Sequence, residues 1–211
     1  APIGSRNAMS LTPRVFWQSM THPTWALAAL QNGGKFRFKN LEPYYDASSF
    51  DNVTQFIGSQ LNGSLDWDYL NEIRAAWDGP LILKGILNGQ DATRAVAAGV
   101  DGLIVSNHGG RQLDAVPASI DLLEAIRSSV GPKVPLLFDS GVRSGLDIAR
   151  ALAAGADFVM CGRAFMYGVA ALGEPGPDHV LAVLKDELEN TMVQLGLERL
   201  ADLPTALSRQ S

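Results

Sequence analysis

Short apolar runs alternate with amphipathic segments from residue 66 onward. Four runs have the length and apolar content of buried parallel strands, and they span residues 81–85, 102–106, 135–139 and 158–162. Apolar positions at helical spacing predict helices at 66–77, from Asn88 to Gly99, through Ile120 and Ile126, from Ser144 or Gly145 to Gly155, and at 177–197. Because strands and helices of this length alternate, we expect an α/β fold with a parallel sheet flanked by helices.

A sequence repeat within the chain supports this pattern. Residues 97–105 read AAGVDGLIV, and residues 153–161 read AAGADFVMC. In each copy a glycine ends a helix, a short turn follows, and an apolar run enters the next strand. The two copies lie two strand–helix units apart, which indicates a repeating architecture.

The rest of the chain is less regular. Residues 1–65 predict a loop-rich excursion that precedes a compact domain at 66–197, and residues 198–211 predict a C-terminal tail on the surface. Within the excursion, residues 22–27 have the composition of a short helix. Three basic residues alternate there with aromatic side chains, and they are Lys35, Arg37 and Lys39. A solvated loop is the favoured interpretation, and contact with a membrane surface is the alternative.

Composition narrows the class of protein. The chain has 211 residues, of which 46% are hydrophobic, so a sizeable core is possible. Its net charge of −5 does not favour nucleic acid as a partner. The single cysteine, Cys161, excludes an intrachain disulfide and a cysteine metal site. No run approaches the roughly 18 apolar residues of a membrane span. We therefore expect a cytoplasmic protein, with association at the inner face of a membrane as the alternative.

Residues that suit catalysis follow each predicted strand. Carboxyl ends of parallel strands share one edge of a sheet, and ligands bind there. In this chain the residues at the carboxyl ends of the four predicted strands are Lys84-Gly85, then Ser106 with His108 and Arg111, then Asp139 through Arg143, and finally Gly162-Arg163.

The side chains at these ends indicate chemistry on a small acid. His108 can move a proton near neutral pH, and Arg111 can grip a carboxylate with two parallel hydrogen bonds. A glycine-bearing loop that enters a helix beside arginines suits a phosphate group.

Each residue also has a purely structural interpretation. Lys84 can simply reach solvent, Asp139 can cap a turn, and Arg163 can pair with a surface acid. An isolated histidine is more often structural, but Arg111 and the glycines beside His108 favour function. Cys161 suits core packing.

Together these stretches resemble a known family. Residues 106–114 read SNHGGRQLD, Lys84-Gly85 precede them, and DSGVR at 139–143 and Gly162-Arg163 follow. This arrangement resembles the FMN-dependent α-hydroxy acid dehydrogenases and oxidases, which include mandelate dehydrogenase, glycolate oxidase and lactate oxidase. The resemblance covers roughly residues 10–205.

The resemblance implies a TIM (β/α)8 barrel that carries FMN, with this chain supplying strand–helix units 5–8 and the long loop before them. The implied reaction oxidises a 2-hydroxy acid, such as mandelate or lactate, to the 2-oxo acid. His108 would be the catalytic base, and both His108 and Arg111 would bind substrate. The implied FMN-binding residues are Lys84, Ser106, Asp139, Ser140, Gly141, Val142, Arg143, Gly162 and Arg163. No metal site is implied.

Four strand–helix units make only half of such a barrel. Its two open edges and exposed interior imply a complementary chain that carries strands 1–4, and the assembled barrel is expected to form a homo-oligomer. The electron acceptor stays open between oxygen, a quinone and a cytochrome.

Two other functions stay open on the sequence. One is a different phosphate-binding TIM-barrel enzyme, such as an isomerase or a relative of inosine monophosphate dehydrogenase, although the latter would need a loop cysteine as nucleophile. The other is a half barrel without catalytic activity that serves as a binding module.

Overall fold

The computed structural model describes residues 13–31, 40–44, 55–59 and 65–207. The chain divides into two compact units, Ala1–Ser64 and Leu65–Ser211.

The first unit is helical where it is described. Helix α1 spans Pro13–Thr21, helix α2 spans Pro23–Gln31, a 3-10 turn covers Glu42–Tyr44, and residues 55–59 form one helical turn. Each of the two helices has proline at its first position, where the missing N–H is not needed. Helix α2 covers the short helix predicted at 22–27 except for its first residue, and α1 is a helix that the sequence did not predict. The basic residues at 35, 37 and 39 lie outside the described residues.

The second unit is a parallel α/β structure. Its elements in chain order are α3 (Trp67–Ala76), β1 (Ile82–Ile86), α4 (Gly89–Ala97), β2 (Gly102–Val105), α5 (Ser119–Val130), β3 (Leu136–Phe138), α6 (Gly145–Ala153), β4 (Phe158–Val159), α7 (Arg163–Leu172) and α8 (Gly176–Leu195). The four strands form one parallel sheet in the order β1-β2-β3-β4. All four predicted strands are present, with ends that differ by at most three residues.

The helices begin where the sequence predicts. The Asn88 side chain accepts a hydrogen bond from the Asp91 amide and caps α4. Ser144 caps α6 through a reciprocal pair of hydrogen bonds with Asp147. Gly99 follows α4 at φ +88°, a conformation that a side chain disfavours.

Strand register places the functional loops side by side. Val105 pairs with Phe138, and Phe138 pairs with Val159. Just beyond these pairs, the amide of Asp139 donates to the carbonyl of Val105, and the amide of Met160 donates to that of Phe138. The loops after β2, β3 and β4 therefore leave the sheet at the same edge.

The core lies on one face of the sheet. Leu103, Val105 and Leu136 are fully buried there, together with Leu123 and Ile126 from α5. The intervening residues Ile104 and Leu137 are only half-buried. One face is thus covered by helices, while the opposite face is open in the described structure.

The repeated sequence builds the same contact twice. In the first copy, Asp101 Oδ2 accepts from the Leu81 amide (2.7 Å) and from Arg74 Nη1 (3.0 Å), and Arg74 also donates to the Gly99 carbonyl. The hydrogen bond from Leu81 lowers the pKa of Asp101, and Arg74 adds to this lowering against an opposing rise from desolvation. The turn before β2 is thereby tied to the start of β1.

The second copy uses the equivalent residues. Asp157 Oδ2 accepts from the Leu136 amide (2.8 Å) and from Arg127 Nη2 (2.6 Å), and Arg127 Nε donates to the Gly155 carbonyl. Arg127 also donates to the carbonyls of Gly131 and Val134. Arginine and aspartate therefore fix each incoming strand against the previous one.

Two features near the end of the chain differ from the prediction. Helix α7 was not predicted, because an apolar segment of helix directly after a strand has no distinct periodic signal. The segment Leu200–Ala206 forms a 3-10 helix that buries Leu203 against α6, so a surface tail is wrong at this point. On α8, Leu184 and Met192 are buried, whereas Leu181 is exposed.

Within the described residues, no helix combines the length and the apolar character needed to cross a membrane.

We expect Arg127→Ala to lower the free energy of unfolding of the full chain by about 2–3 kcal/mol, because several acceptors lose a charged donor. Arg150→Ala is the matched control, since Arg150 is 62% exposed and only approaches Asp147 at 3.7 Å. The free energy of unfolding of this control variant should fall by less than about 0.5 kcal/mol. Urea unfolding measures both, and equal losses in the two variants would contradict the role of Arg127.

Candidate active site

The four strand ends meet at one open cleft of about 250 Å³. It is lined by nearly all of the site residues predicted from the sequence, namely Lys84, His108, Arg111, Asp139, Ser140, Gly141, Val142, Arg143, Gly162 and Arg163. Ser106 lies behind the cleft and is 2% exposed. The predicted residues therefore come together from all four strands.

Lys84 enters the site from the open face of the sheet, because it pairs in register with the half-buried Ile104. The register shifts only after Lys84, between Lys84 and Ile86, where Gly85 takes φ +97°. This bulge ends the regular pairing of β1 at the edge of the cleft. Lys84 Nζ lies 2.9 Å from Asp139 Oδ2 and 2.7 Å from Ser106 Oγ.

Ser106 is the centre of a buried hydrogen-bond network. Its hydroxyl accepts from Lys84 Nζ and from the His108 amide (3.1 Å), and it donates to Asp139 Oδ1 (2.5 Å). A hydroxyl has one donor and two acceptor positions, so these three partners use its full capacity. The network joins the ends of β1, β2 and β3.

Asp139 is the acidic group that organises this network. Burial raises the pKa of Asp139, but hydrogen bonds from Ser106, Ser140 and Lys84, together with the charge of Lys84, outweigh that effect and lower it. The carboxylate is therefore ionised at neutral pH and fixes the position of the Lys84 ammonium group.

The residues after β2 form a tight left-handed turn. His108, Gly109 and Gly110 have φ values of 57°, 67° and 73°. A Cβ at Gly109 would lie 2.7 Å from Arg163 Nη2, which is the end of a side chain that can move, so it is the positive φ that favours glycine there. A histidine in this region costs about 1–3 kcal/mol, and such strain concentrates at active sites.

The functional groups of His108 and Arg111 are available to a ligand. Among the described residues, neither the imidazole of His108 nor the guanidinium of Arg111 has a hydrogen-bond or ion-pair partner. Both side chains line the cleft. A proton acceptor and an anion-binding group therefore face the same space.

The loops after β3 and β4 form the other side of the cleft. The Arg143 guanidinium donates to the Val142 carbonyl (2.8 Å), and Arg163 Nη2 lies 3.5 Å from the Gly109 carbonyl. Helix α7 begins at Arg163 after Gly162, and within the described part of the chain no side chain caps its first amides. Two cationic groups and a free helix N-terminus suit a phosphate group.

Sequence reasoning missed several residues at this site. The Asn107 side chain accepts from the Gly109 amide (2.9 Å), and the buried Ser119 hydroxyl accepts from the Asn107 amide (2.8 Å). A short polar residue before a left-handed turn is the signal that points to Asn107. Met160 and Met166 line the cleft, and their apolar character gave no sign of it.

Cys161 packs against the core, as predicted, but it does not lie within the predicted strand at 158–162. Strand β4 ends at Val159, so Cys161 lies beyond the strand and lines the cleft, where it is half-buried. Burial raises the pKa of its thiol, with a smaller raising effect of Asp147 and a lowering effect of Arg143. A thiol with a raised pKa is a poor nucleophile at neutral pH.

We expect the free energy of unfolding to fall less steeply with decreasing pH in Asp139→Asn than in wild type. The folded-state pKa lies below the unfolded value of about 3.9, so the ionised group stabilises the fold above that value. This contribution is lost as the pH falls below about 4 and passes through the folded pKa. Urea unfolding of the full chain from pH 6 to pH 3 measures the difference in free energy of unfolding between wild type and variant, and this difference should shrink as the pH falls. A difference that stays constant would contradict a stabilising role of ionised Asp139.

The chain is similar to a single family over nearly its whole length. The family described as FMN-dependent dehydrogenase matches residues 3–210. The L-lactate dehydrogenase of Pseudomonas entomophila (strain L48) is 42% identical over 191 residues, which are 90% of this chain and 50% of that protein. The L-lactate dehydrogenase of Acinetobacter baylyi is 41% identical, with the same coverage of both chains.

Solved structures agree with these relatives. The crystal structure of the monotopic membrane protein (S)-mandelate dehydrogenase matches with a TM-score of 0.84 and 36% identity, over 96% of this chain and 53% of that one. A mandelate oxidase with a bound difluoro-hydroxy-phenylpropionic acid matches with a TM-score of 0.65 and 39% identity, over 69% and 44%.

The chain spans about half the length of the relatives it matches. Its four consecutive parallel strand–helix units are half of a TIM barrel, as the sequence predicts. Because the family match covers nearly every residue, this chain belongs to the FMN-dependent dehydrogenase family.

Proposed function

We propose that this chain supplies the catalytic half of a site that oxidises a 2-hydroxy acid to a 2-oxo acid with FMN. The observation that carries the proposal is the convergence of an imidazole and four cationic side chains on one cleft, contributed by Lys84, His108, Arg111, Arg143 and Arg163. The names of the relatives, which are lactate and mandelate enzymes, support this class of substrate.

The residues present fit the phosphate and the flavin of FMN. Arg143, Arg163 and the first amides of α7 would hold the phosphate. Gly141 takes φ +89° with no atom near its missing side chain, so the backbone there is open to a ligand. When bound, FMN would supply the two-electron acceptor of the reaction.

Lys84 would provide a fixed positive charge for the flavin of bound FMN. Its ammonium group is held by Asp139 and Ser106, so it does not need to reorganise during the reaction. A preorganised cation stabilises negative charge that develops during reduction.

His108 and Arg111 act on the substrate. Arg111 binds the carboxylate with two parallel hydrogen bonds, which orients the carbon that carries the hydroxyl group. A ring nitrogen of His108 accepts one proton from the substrate. The substrate would lose one C–H and one O–H bond to become the 2-oxo acid; His108 would take one proton, and bound FMN would supply the acceptor for the two electrons and the other proton.

We propose that a complementary chain carrying four further strand–helix units completes the barrel. In the described sheet, β1 and β4 are edge strands, and Ile82 and Phe158 on them are 48% and 61% exposed. Exposed edges and apolar residues of this kind require cover in a stable protein. The relatives are about twice as long as this chain, and this difference in length also supports a complementary chain. A homo-oligomer of the completed barrel stays a prediction.

We also propose that α1 and α2 lie on a membrane surface. Pro13–Gln31 contains no acidic residue, and its large apolar side chains are more than half exposed. These side chains are Phe16, Trp17, Met20, Trp25, Leu27 and Leu30. Exposed tryptophans on an amphipathic helix favour the interface of a bilayer. The description of one similar structure as a monotopic membrane protein supports this proposal.

In the FMN-loaded protein, we expect His108→Gln to slow flavin reduction by at least about 100-fold, because the proton acceptor is lost. Arg111→Lys should instead raise KM by at least about 10-fold, since one point charge replaces a bidentate grip. Stopped-flow absorbance with mandelate, lactate and glycolate, with and without oxygen, measures both.

Flavin content provides the control for these variants. Both should keep FMN bound, because neither side chain is assigned to the phosphate. Normal flavin reduction in His108→Gln would remove the histidine from its proposed role, and a colourless wild-type protein would contradict the proposed function.

We expect Trp17→Ser combined with Trp25→Ser to weaken binding to phosphatidylcholine vesicles by at least about 10-fold, because two interfacial anchors are lost. Vesicle flotation measures the bound fraction. Val193→Ser is the matched control, since Val193 is 77% exposed on α8 of the second unit. Binding that is unchanged in the double variant, or equally weak in the control, would contradict the proposed surface.

A further inference from the structure

Two residues other than glycine have positive φ in the described part of the chain. They are His108 at 57° and Ser140 at 88°. They follow neighbouring strands, and the Ser140 hydroxyl accepts a hydrogen bond from the amide of Gly109 at 3.1 Å. The side chain of one strained residue therefore contacts the peptide group that follows the other.

The Ser140 hydroxyl has a defined direction. It donates to Asp139 Oδ1 at 2.6 Å, so its hydrogen points at the carboxylate and its lone pairs are free to accept. The Ser106 hydroxyl donates to the same carboxylate oxygen and accepts from the amide of His108. One oxygen of Asp139 thus orients two hydroxyl groups.

These two hydroxyl groups hold the backbone on both sides of His108. The amide of His108 belongs to the peptide plane before its Cα, and the amide of Gly109 belongs to the plane after it. Ser106 binds the first amide and Ser140 binds the second, which Asn107 Oδ1 also contacts at 2.9 Å. Fixing both planes fixes the direction in which the Cα–Cβ bond of His108 points.

Backbone strain at Ser140 also supports a role for its side chain. Glycine would occupy φ +88° without strain, so a serine there must be maintained by something its side chain does. The Ser140 side chain donates a hydrogen bond to Asp139 and accepts one from the amide of Gly109, and these two bonds are the role we assign to it.

We propose that Ser140 is a positioning residue that holds the left-handed turn of His108 and thereby aims its imidazole into the cleft. This inference rests on the proposed function, in which His108 accepts the proton of the substrate. Ser140 acts on the reaction through the peptide plane after His108. Its role is therefore distinct from binding FMN, which the sequence also assigns to it.

The test uses Ser140→Ala and Ser140→Gly in the FMN-loaded protein. Both remove the hydroxyl, but only the glycine variant also removes the backbone strain. We expect both to slow flavin reduction by about 10- to 100-fold at saturating substrate, because a displaced base loses its geometry. The substrate KM and the dissociation constant of FMN should change by less than about 3-fold. Ser128→Ala is the matched control, since its hydroxyl only bonds a carbonyl within α5.

Hydrogen exchange provides a readout that does not depend on activity. Amide exchange in the peptide that contains residues 107–113 should be faster in both Ser140 variants than in wild type, with or without FMN. Should the alanine variant fail to fold, the unstrained glycine variant still decides the outcome.

Three results would overturn the inference. Normal flavin reduction in Ser140→Gly would show that the hydroxyl does not aim His108, and unchanged exchange would show that it does not hold the turn. Weaker FMN binding with normal reduction at saturating FMN would make Ser140 a cofactor ligand only. In contrast, a wild-type protein that no 2-hydroxy acid reduces would overturn the proposed function, while the exchange result would still report whether Ser140 holds the turn.

Discussion

The carboxylate of Asp139 is the contact on which the arrangement of this site depends. One oxygen pairs with the Lys84 ammonium group, and the other accepts from the hydroxyls of Ser106 and Ser140. Those hydroxyls in turn accept from backbone amides of the His108 turn. Because a partly buried charge is stable only when its partners surround it, the ion pair and the turn depend on each other. A single carboxylate thus links Lys84, the turn of His108 and the loop after β3.

The sheet beneath the site is fixed by a second recurring interaction. In both copies of the repeated sequence an aspartate binds the amide at the start of the previous strand and an arginine from the preceding helix. These contacts lie at the amino ends of the strands, away from the cleft. Stability and chemistry are therefore separated between the two ends of the sheet, as is usual in (β/α)8 barrels.

The imidazole of His108 has no hydrogen-bond partner among the described residues. One face of the sheet and the edges formed by β1 and β4 are also open in the described structure. The relatives are about twice as long as this chain, and the proposed complementary chain would cover these surfaces.

The sequence by itself determined the strands, the helix caps and the residues at the strand ends, because each depends on local periodicity or on a short polar signal such as Asn88 or Ser144. It also singled out the residues that line the cleft, through their resemblance to a family. Only the tertiary structure decided that Ser140 contacts the turn of His108, that Leu203 is buried, and that Cys161 lies in the cleft. These contacts join residues far apart in the chain, and no local pattern encodes distances across a sheet.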